Sequence, residues 1–230
     1  GQVEGAECLL RWKDDELGMV SPEVFIPIAE EYGLIIPITE WLIKDVCERA
    51  QSWSKKYAAH TTMAINISAV HFCGHDLEGL IHNTLKQTGL DPRYLEIELT
   101  ETSILQDPKL AIRTLERIQS MGLQTSLDDF GTGYSSLNYL MQLPLDKLKI
   151  DRSFIVNMDN GEKGTAIVSA IIAMAHSLSL EVIAEGVEDE SHIQLLRKMQ
   201  CDIVQGYYIA RPMPAGEFEQ LLSSNSRHTA

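Results

Sequence analysis

Several features that the sequence lacks exclude whole classes of protein. It has no run of eighteen apolar residues: the longest apolar stretch, near Ala166–Ala175, is interrupted by Ser169, so we expect no membrane-spanning helix. The first residues show neither the basic nor the apolar segment of a secretory signal. The four cysteines are scattered and form no C-x-x-C pair, which disfavours structural zinc and a disulfide framework and fits a reducing cytosol.

Positive charge is also scarce. The chain has 19 Lys and Arg against 33 Asp and Glu, which gives a net charge of −14. Long nucleic acid is bound by basic surfaces, so we expect no such partner. A small anionic ligand stays compatible with this charge if metal ions supply the positive charge. The length of 230 residues suits one α/β barrel, and since no linker or change of composition divides the chain, we expect a single domain over residues 1–230.

Strand patterns and helix patterns alternate along the chain. The predicted strands are residues 2–12, Thr62–Ser68, Leu95–Thr100, Leu123–Asp128, Leu145–Ile150, Leu180–Ala184 and Asp202–Tyr207. The predicted helices begin at Ser21 and Pro37 and then cover Phe72–Thr88, Asp107–Met121, Ser135–Met141, Glu162–Leu178, Asp189–Met199 and Glu217–Ser223. Such alternation predicts a parallel sheet covered by helices. Seven strands are one fewer than the eight of a closed barrel.

Two details of the helices are predicted from local sequence. Pro27 lies inside the first helical pattern and is expected to kink or shorten that helix. In Glu162–Leu178, near-helical spacing predicts an inward-facing stripe of apolar residues. These residues are Ile167, Ile171, Met174 and Leu178.

All seven predicted strands carry an acid, an amide or a lysine within them or just after them. These residues are Glu7, Asn66, Glu98, Asp128 with Asp129, Lys149 with Asp151, Glu185 with Glu188, and Gln205. In a parallel α/β barrel the strand ends converge on one face, which holds the active site. Carboxylates gathered there repel one another unless cations compensate them. Carboxylate and amide oxygens are ligands for magnesium or manganese, and two such ions suit in-line attack at phosphorus.

Each residue alone also has a simpler interpretation. The adjacent Asp128 and Asp129 could be a solvated turn pair, Glu98 with Glu101 a solvated strand end, and Lys149 a surface charge. The repetition of the pattern at successive strand ends favours the metal site, because scattered surface charges would not produce it. Lys149 and Arg11 could then neutralise a phosphate or position a water molecule.

Motifs spread over nearly the whole chain resemble those of the EAL-type cyclic di-GMP phosphodiesterase domain. The naming motif is Glu7-Cys8-Leu9, with Cys8 in place of the usual Ala. The further motifs are Asn66-Ile67-Ser68, Glu98-Leu99-Thr100-Glu101, Asp128-Asp129-Phe130-Gly131-Thr132-Gly133, Lys149-Ile150-Asp151, Glu185-Gly186-Val187-Glu188 and Gln205-Gly206-Tyr207. The resemblance implies an α/β fold, a (βα)8 TIM-like barrel. In that family a strand with a Tyr-Gln-Pro-type motif precedes the Glu7 strand, so we expect a domain that lacks its first strand and belongs to a longer signalling protein.

The resemblance also implies site roles. One metal ion would be held by Glu7, Asn66, Glu98 and Asp128, and a second by Asp128, Asp129 and Glu185, with Asp128 bridging; the ions would be Mg2+ or Mn2+. The implied catalytic residues are Glu185, Lys149 and Glu7. The implied substrate contacts are Arg11, Leu10, Asp151, Glu188, Gln205 and Pro212. Glu101 would tether the loop Asp129–Ser136, including Phe130, Gly131, Thr132 and Gly133, which couples the site to a dimer interface.

The implied reaction cuts one phosphodiester bond of cyclic di-GMP and gives linear pGpG. The resemblance further implies a homodimer in the bacterial cytoplasm, without membrane contact from this segment. It also implies upstream sensor or GGDEF-type domains and a role in motility and biofilm formation. One alternative is an inactive domain that binds cyclic di-GMP as a receptor. Another is an interaction module that uses the barrel as a scaffold. The complete set of acids favours the enzyme, because such receptors usually lose metal ligands and a scaffold has no need of costly buried charges.

Overall fold

The computed structural model describes residues 3–57, 61–74, 76–131 and 137–225. These residues form two compact units. The first unit comprises Gly1–Ile97, Glu116–Gln124 and Met213–Ala230, and the second comprises Glu98–Leu115 and Thr125–Pro212. Among the described residues no helix is both long and apolar enough to cross a membrane.

The first unit holds the N-terminal strands and their helices. Its elements are β1 (Gly5–Cys8), β2 (Trp12–Asp14), β3 (Gly18–Val20), α1 (Pro22–Glu31), α2 (Ile35–Tyr57), β4 (Thr62–Asn66), α3 (Ala69–Gly74), α4 (Leu77–Thr88), the start of β5 (Leu95–Thr100) and α11 (Ala215–Asn225). β1 and β4 pair in parallel, while β2 and β3 form a separate antiparallel hairpin. Trp53 of α2 packs on Phe218 of α11, with 5.6 Å between ring centroids, so α11 closes over the apolar face of α2.

The second unit continues the alternation of strand and helix. Its elements are the end of β5, α5 (Glu101–Gln106), most of α6 (Pro108–Ser120), β6 (Gln124–Phe130), α7 (Leu137–Leu140), β7 (Lys147–Ile150), α8 (Arg152–Asn157), α9 (Glu162–Ser177), β8 (Glu181–Ala184), α10 (Glu190–Lys198) and β9 (Ile203–Val204). These strands lie in the order β5, β6, β7, β8, β9. The pairs from β6 to β9 are parallel, so the carboxyl ends of these strands lie at one edge of the sheet.

Most predicted strands are confirmed within a few residues, and Leu95–Thr100 is confirmed without change. The single strand predicted over residues 2–12 is wrong. β1 ends at Cys8, and the chain from Trp12 turns back into the hairpin with β3. The predicted helix Phe72–Thr88 is two helices, because Asp76 caps a new helix by accepting a hydrogen bond from the Gly79 amide.

Helix α5 was not predicted, and α1 is longer than Pro27 suggested. Thr100 caps α5 by accepting from the Ser103 amide, so the chain re-enters helix directly after β5. Helix α1 continues four residues past Pro27, to Glu31, so the proline does not shorten it there. The predicted start of the short helix at Ser135 lies outside the described residues, and α7 begins at Leu137.

The predicted inner stripe of α9 is wrong by one residue. Ile167 is 50% exposed, whereas Val168, Ile172 and Ala175 are buried. Adjacent apolar residues occur in every turn of this helix, so two stripes about 100° apart fit the periodicity equally well. Contacts with the rest of the second unit select the stripe that carries Ile172.

The corrected stripe predicts that the same substitution destabilises the protein much more at one position of α9 than at another. Ile172 is 1% exposed, so Ile172→Ala should lower the free energy of unfolding by about 2–5 kcal/mol. The matched variant Ile167→Ala, at a half-exposed site, should lower it by about 1 kcal/mol or less. Urea denaturation followed by circular dichroism measures both. Equal losses would contradict the assignment of the buried face.

Candidate active site

Neighbouring strands of the second unit place four charged residues at their carboxyl ends. Glu98 lies on β5, Asp128 on β6 and Lys149 on β7. Glu185 follows β8 directly, and its amide donates to the Ile150 carbonyl at 3.1 Å. That bond extends the β7–β8 ladder by one residue and holds Glu185 beside the end of β7. The parallel register thus gathers side chains that are far apart in sequence.

The ammonium group of Lys149 lies among three carboxylates. Its Nζ is 2.8 Å from Glu185 Oε1, 3.0 Å from Glu98 Oε1 and 3.2 Å from Asp128 Oδ1. The side chains of Lys149 and Glu98 are each 1% exposed, so water solvates these charges poorly. Three carboxylates and one ammonium leave an excess of negative charge if all are ionised. Such a cluster favours the binding of further positive charge.

A β-bulge allows both adjacent aspartates to take part. In a regular strand, successive side chains point to opposite faces. The β6–β7 register shifts between Leu127 and Phe130, and Asp129 has a φ of 55°. Aspartate tolerates this left-handed conformation better than most residues. The Asp129 amide donates to Asp128 Oδ1 at 2.9 Å, which fixes one carboxylate against the turn.

The result of the bulge is a set of three carboxylates suited to a metal ion. Asp128, Asp129 and Glu185 each offer an oxygen, and these oxygens lie within 4.8 Å of one another. Hard divalent cations bind carboxylate oxygens at about 2.0–2.6 Å, so small side-chain movements would bring all three to one ion. The donors are oxygens without thiolate or imidazole, which fits Mg2+ or Mn2+.

In the first unit, two predicted metal ligands also meet. Glu7 of β1 pairs with Ala64 of β4, and Asn66 lies two residues further on the same strand face. The Asn66 Nδ2 donates to Glu7 Oε1 at 2.7 Å. This bond directs the amide nitrogen toward the carboxylate and leaves the amide oxygen of Asn66 for another partner.

Glu101 contacts the start of the predicted loop Asp129–Ser136. It is buried, and its Oε2 accepts a hydrogen bond from the Gly131 amide at 3.3 Å. Gly131 has a φ of 94°, and a Cβ there would lie 2.7 Å from the Phe154 ring, so both the backbone conformation and the close ring favour glycine at this turn. Phe130 is buried beside it. The predicted loop residues Thr132 and Gly133 lie outside the part of the chain that the structure describes.

The residues predicted to contact substrate are less closely gathered. Asp151 caps α8 by accepting from the Ser153 amide and hydroxyl. Gln205 is half-buried, and its backbone bonds to Ala184 and Val187. The remaining predicted contacts are half-buried or exposed: Leu10, Arg11, Glu188 and Pro212. The Nη1 of Arg11 donates to the Leu10 carbonyl at 2.8 Å.

Arg152 is a residue that the sequence reasoning missed. Its Nη2 lies 2.7 Å from Glu188 Oε1. A Cβ on Gly186 would lie 2.2 Å from its Cγ, so the side chain covers the turn after Glu185. Its position directly after Asp151, at the end of β7, is the signal that could have identified it.

The buried Cys47 and the half-buried Cys201 are poor metal ligands. Burial raises the pKa of Cys47 to about 12 and that of Cys201 to about 11. Metal ions bind the thiolate, and at neutral pH these two groups stay protonated.

The chain matches known proteins over nearly its whole length. The family model for the EAL domain matches residues 1–212. The bifunctional diguanylate cyclase/cyclic di-GMP phosphodiesterase MucR of Pseudomonas aeruginosa is 41% identical over 224 residues, which is 97% of this chain and 32% of that protein. The cyclic di-GMP phosphodiesterase NbdA of the same organism is 39% identical over 222 residues, 96% of this chain and 28% of that protein. The chain therefore spans about a third of the length of these curated relatives.

Solved structures give the same result. The MucR phosphodiesterase in complex with c-di-GMP superposes with a TM-score of 0.90 at 40% identity, over 95% of this chain and 88% of that one. An EAL domain protein of Listeria monocytogenes gives a TM-score of 0.81 at 33% identity, over 97% and 87%. The predicted EAL-type α/β barrel fold is thus confirmed, with seven of its parallel strands among the described residues.

If the cluster binds metal ions, those ions should compensate for the positive charge that is lost when Lys149 is substituted. Lys149→Met leaves three carboxylates without their ammonium and should destabilise the metal-free protein by about 3–5 kcal/mol. Excess Mg2+ should raise the melting temperature of this variant more than that of the wild type. The control Arg49→Met removes an exposed ion pair with Asp45 and should change stability by about 1 kcal/mol or less. Differential scanning calorimetry with and without Mg2+ measures both, and an equal effect of Mg2+ on all three proteins would contradict the interpretation.

Proposed function

The chain belongs to the EAL domain family, and we propose that it hydrolyses cyclic di-GMP to linear pGpG with the help of two divalent metal ions. The observation that carries this proposal is the carboxylate cluster around Lys149, extended by Asp129 through the bulge. The printed functions of MucR and NbdA, and the bound c-di-GMP of the MucR structure, support the choice of substrate.

The proposed metal ligands are those whose oxygen donors fit Mg2+ or Mn2+. They are Asp128, Asp129, Glu185 and Glu98 in the second unit and Glu7 and Asn66 in the first. When bound, such ions supply positive charge at the phosphate and favour deprotonation of the attacking water. Two ions would also offset the excess negative charge that Lys149 alone leaves uncompensated.

The reaction requires a water molecule to lose a proton and attack phosphorus. The water oxygen forms a new bond to phosphorus, the bond from phosphorus to one ribose O3′ breaks, and the leaving oxygen gains a proton. The product pGpG then carries a 5′-phosphate and a free 3′-hydroxyl. Glu185 is the proposed proton acceptor, because its carboxylate is partly exposed and lies within the cluster.

Lys149 is proposed to orient this proton acceptor and the attacking water. Its ammonium group contacts Glu185 at 2.8 Å, and the contacts with Glu98 and Asp128 hold the lysine in place. A lysine fixed on three sides presents its charge at a defined position, which reduces the reorganisation needed in the transition state. Glu7 contributes as a metal ligand.

The remaining roles are proposed from the family. Arg11 would contact a phosphate of the substrate, and the other substrate contacts are Leu10, Asp151, Glu188, Gln205 and Pro212. The Glu101–Gly131 contact would couple the loop to a homodimer interface. The whole protein is proposed to act in the bacterial cytoplasm, with sensor or GGDEF-type domains beside one EAL domain. The relative MucR is named as a bifunctional diguanylate cyclase/cyclic di-GMP phosphodiesterase.

A hydrolysis assay tests the proposed function. With Mg2+ or Mn2+ the protein should convert cyclic di-GMP to pGpG, and a chelator should abolish the product. Asp128→Asn and Asp129→Asn should each lower turnover by at least about 100-fold, because each removes a ligand charge. The control Asp45→Asn should keep wild-type turnover, because Asp45 pairs with Arg49 at the surface of α2. Chromatography of the nucleotides provides the readout.

Two outcomes would contradict the proposal. Binding of cyclic di-GMP without pGpG would identify a receptor. Turnover that survives both aspartate substitutions would exclude this cluster as the active site.

A further inference from the structure

We propose that the second unit carries a separate site for a divalent transition-metal ion such as Zn2+, with His192 and Asp189 as its ligands and Asp159 as the residue that orients the His192 ring. These residues offer ligand atoms that lie within 4.8 Å of one another. The site uses none of the residues assigned above to catalysis or substrate binding, and it does not depend on the proposed reaction.

The three residues come from two adjoining elements. Asp189 is the N-cap of α10, and His192 lies in the first turn of that helix. Asp159 lies in the 3-10 turn Met158–Asn160 that precedes α9. The His192 side chain is 3% exposed, whereas those of Asp159 and Asp189 are 60% and 51% exposed. A buried imidazole thus lies beneath two solvent-facing carboxylates.

One nitrogen of His192 has an assigned partner. Its Nε2 lies 3.1 Å from Asp159 Oδ1. An ionised carboxylate only accepts hydrogen bonds, so the Nε2 of His192 carries the proton. In the neutral ring the other nitrogen, Nδ1, then presents a lone pair.

That lone pair faces a second carboxylate. Among the described residues Nδ1 has no hydrogen-bond partner, and Asp189 Oδ2 lies 3.6 Å away, which is too far for a hydrogen bond. The other oxygen of Asp189 is engaged as a cap, accepting from the His192 amide and the Ser191 hydroxyl. These two bonds lower the pKa of Asp189 and keep it ionised, the Ser191 bond having the larger effect. Two electron-rich atoms therefore face each other across a gap that suits a cation.

The gap has the dimensions of a zinc site. Zn2+ binds imidazole nitrogen and carboxylate oxygen at about 2.0–2.2 Å in tetrahedral geometry, which separates two ligand atoms by about 3.4 Å. The observed 3.6 Å between Nδ1 and Oδ2 is close to that separation. Asp159 accepts the hydrogen bond from Nε2 on the other side of the ring, and such a carboxylate commonly orients a metal-binding histidine. Imidazole also selects Zn2+ over Mg2+, which distinguishes this site from the all-oxygen cluster.

Zinc titration of the 230-residue protein in excess Mg2+ tests the site. Long-range proton–nitrogen NMR of the imidazoles follows each ring, and calorimetry gives the affinity. We expect Zn2+ to shift the Nδ1 signal of His192 to the metal-bound range while Nε2 stays protonated. His192→Gln should abolish this binding. His176→Gln, which removes an exposed histidine paired with Asp202, should leave it unchanged.

Asp189→Asn keeps the test valid if His192→Gln does not fold. Asparagine caps helices as well as aspartate, so α10 should persist, while the loss of the ligand charge should weaken zinc binding by at least about tenfold. An unchanged zinc affinity in Asp189→Asn would overturn the proposal. A doubly protonated His192 ring that does not respond to Zn2+ would also overturn it, since a proton would then occupy the gap.

Discussion

The site of this protein depends on one buried lysine held among three carboxylates. Lys149 neutralises only part of the charge that Glu98, Asp128 and Glu185 bring to the ends of their strands. Removing such charges from water is costly unless they are paired. The lysine makes the cluster tolerable in the folded protein, and the negative charge left over makes it a candidate site for metal ions. In the proposed function, one interaction therefore serves both stability and catalysis.

The bulge in β6 is the second constraint, and it follows from the first. A regular strand would direct Asp129 away from Asp128, and the cluster would lose an oxygen donor. The left-handed conformation of Asp129 costs about 1–3 kcal/mol in general. The fold sustains that cost because the Asp129 amide bonds to Asp128 and β7 pairs on both sides of the irregularity.

Much of this arrangement could be predicted from the sequence, because parallel strands bring their carboxyl ends to one edge. That rule located Glu98, Asp128, Lys149 and Glu185 correctly. It could not predict the bulge, since φ at Asp129 depends on the pairing with β7. Nor could it predict that Asp151 caps a helix. It also could not identify the buried stripe of α9, because adjacent apolar residues such as Ile167 and Val168 made the periodicity ambiguous. Those features depend on tertiary contacts that no local pattern contains.

Diffraction from crystals grown with Mn2+ would show whether the carboxylates around Lys149 hold the proposed catalytic cations. Anomalous scattering identifies manganese without assumptions about the ligands. We expect an anomalous peak at coordination distance from oxygens of Asp128, Asp129 and Glu185. Absence of manganese from these carboxylates, at a concentration that supports hydrolysis of cyclic di-GMP, would contradict the proposed role of the cluster.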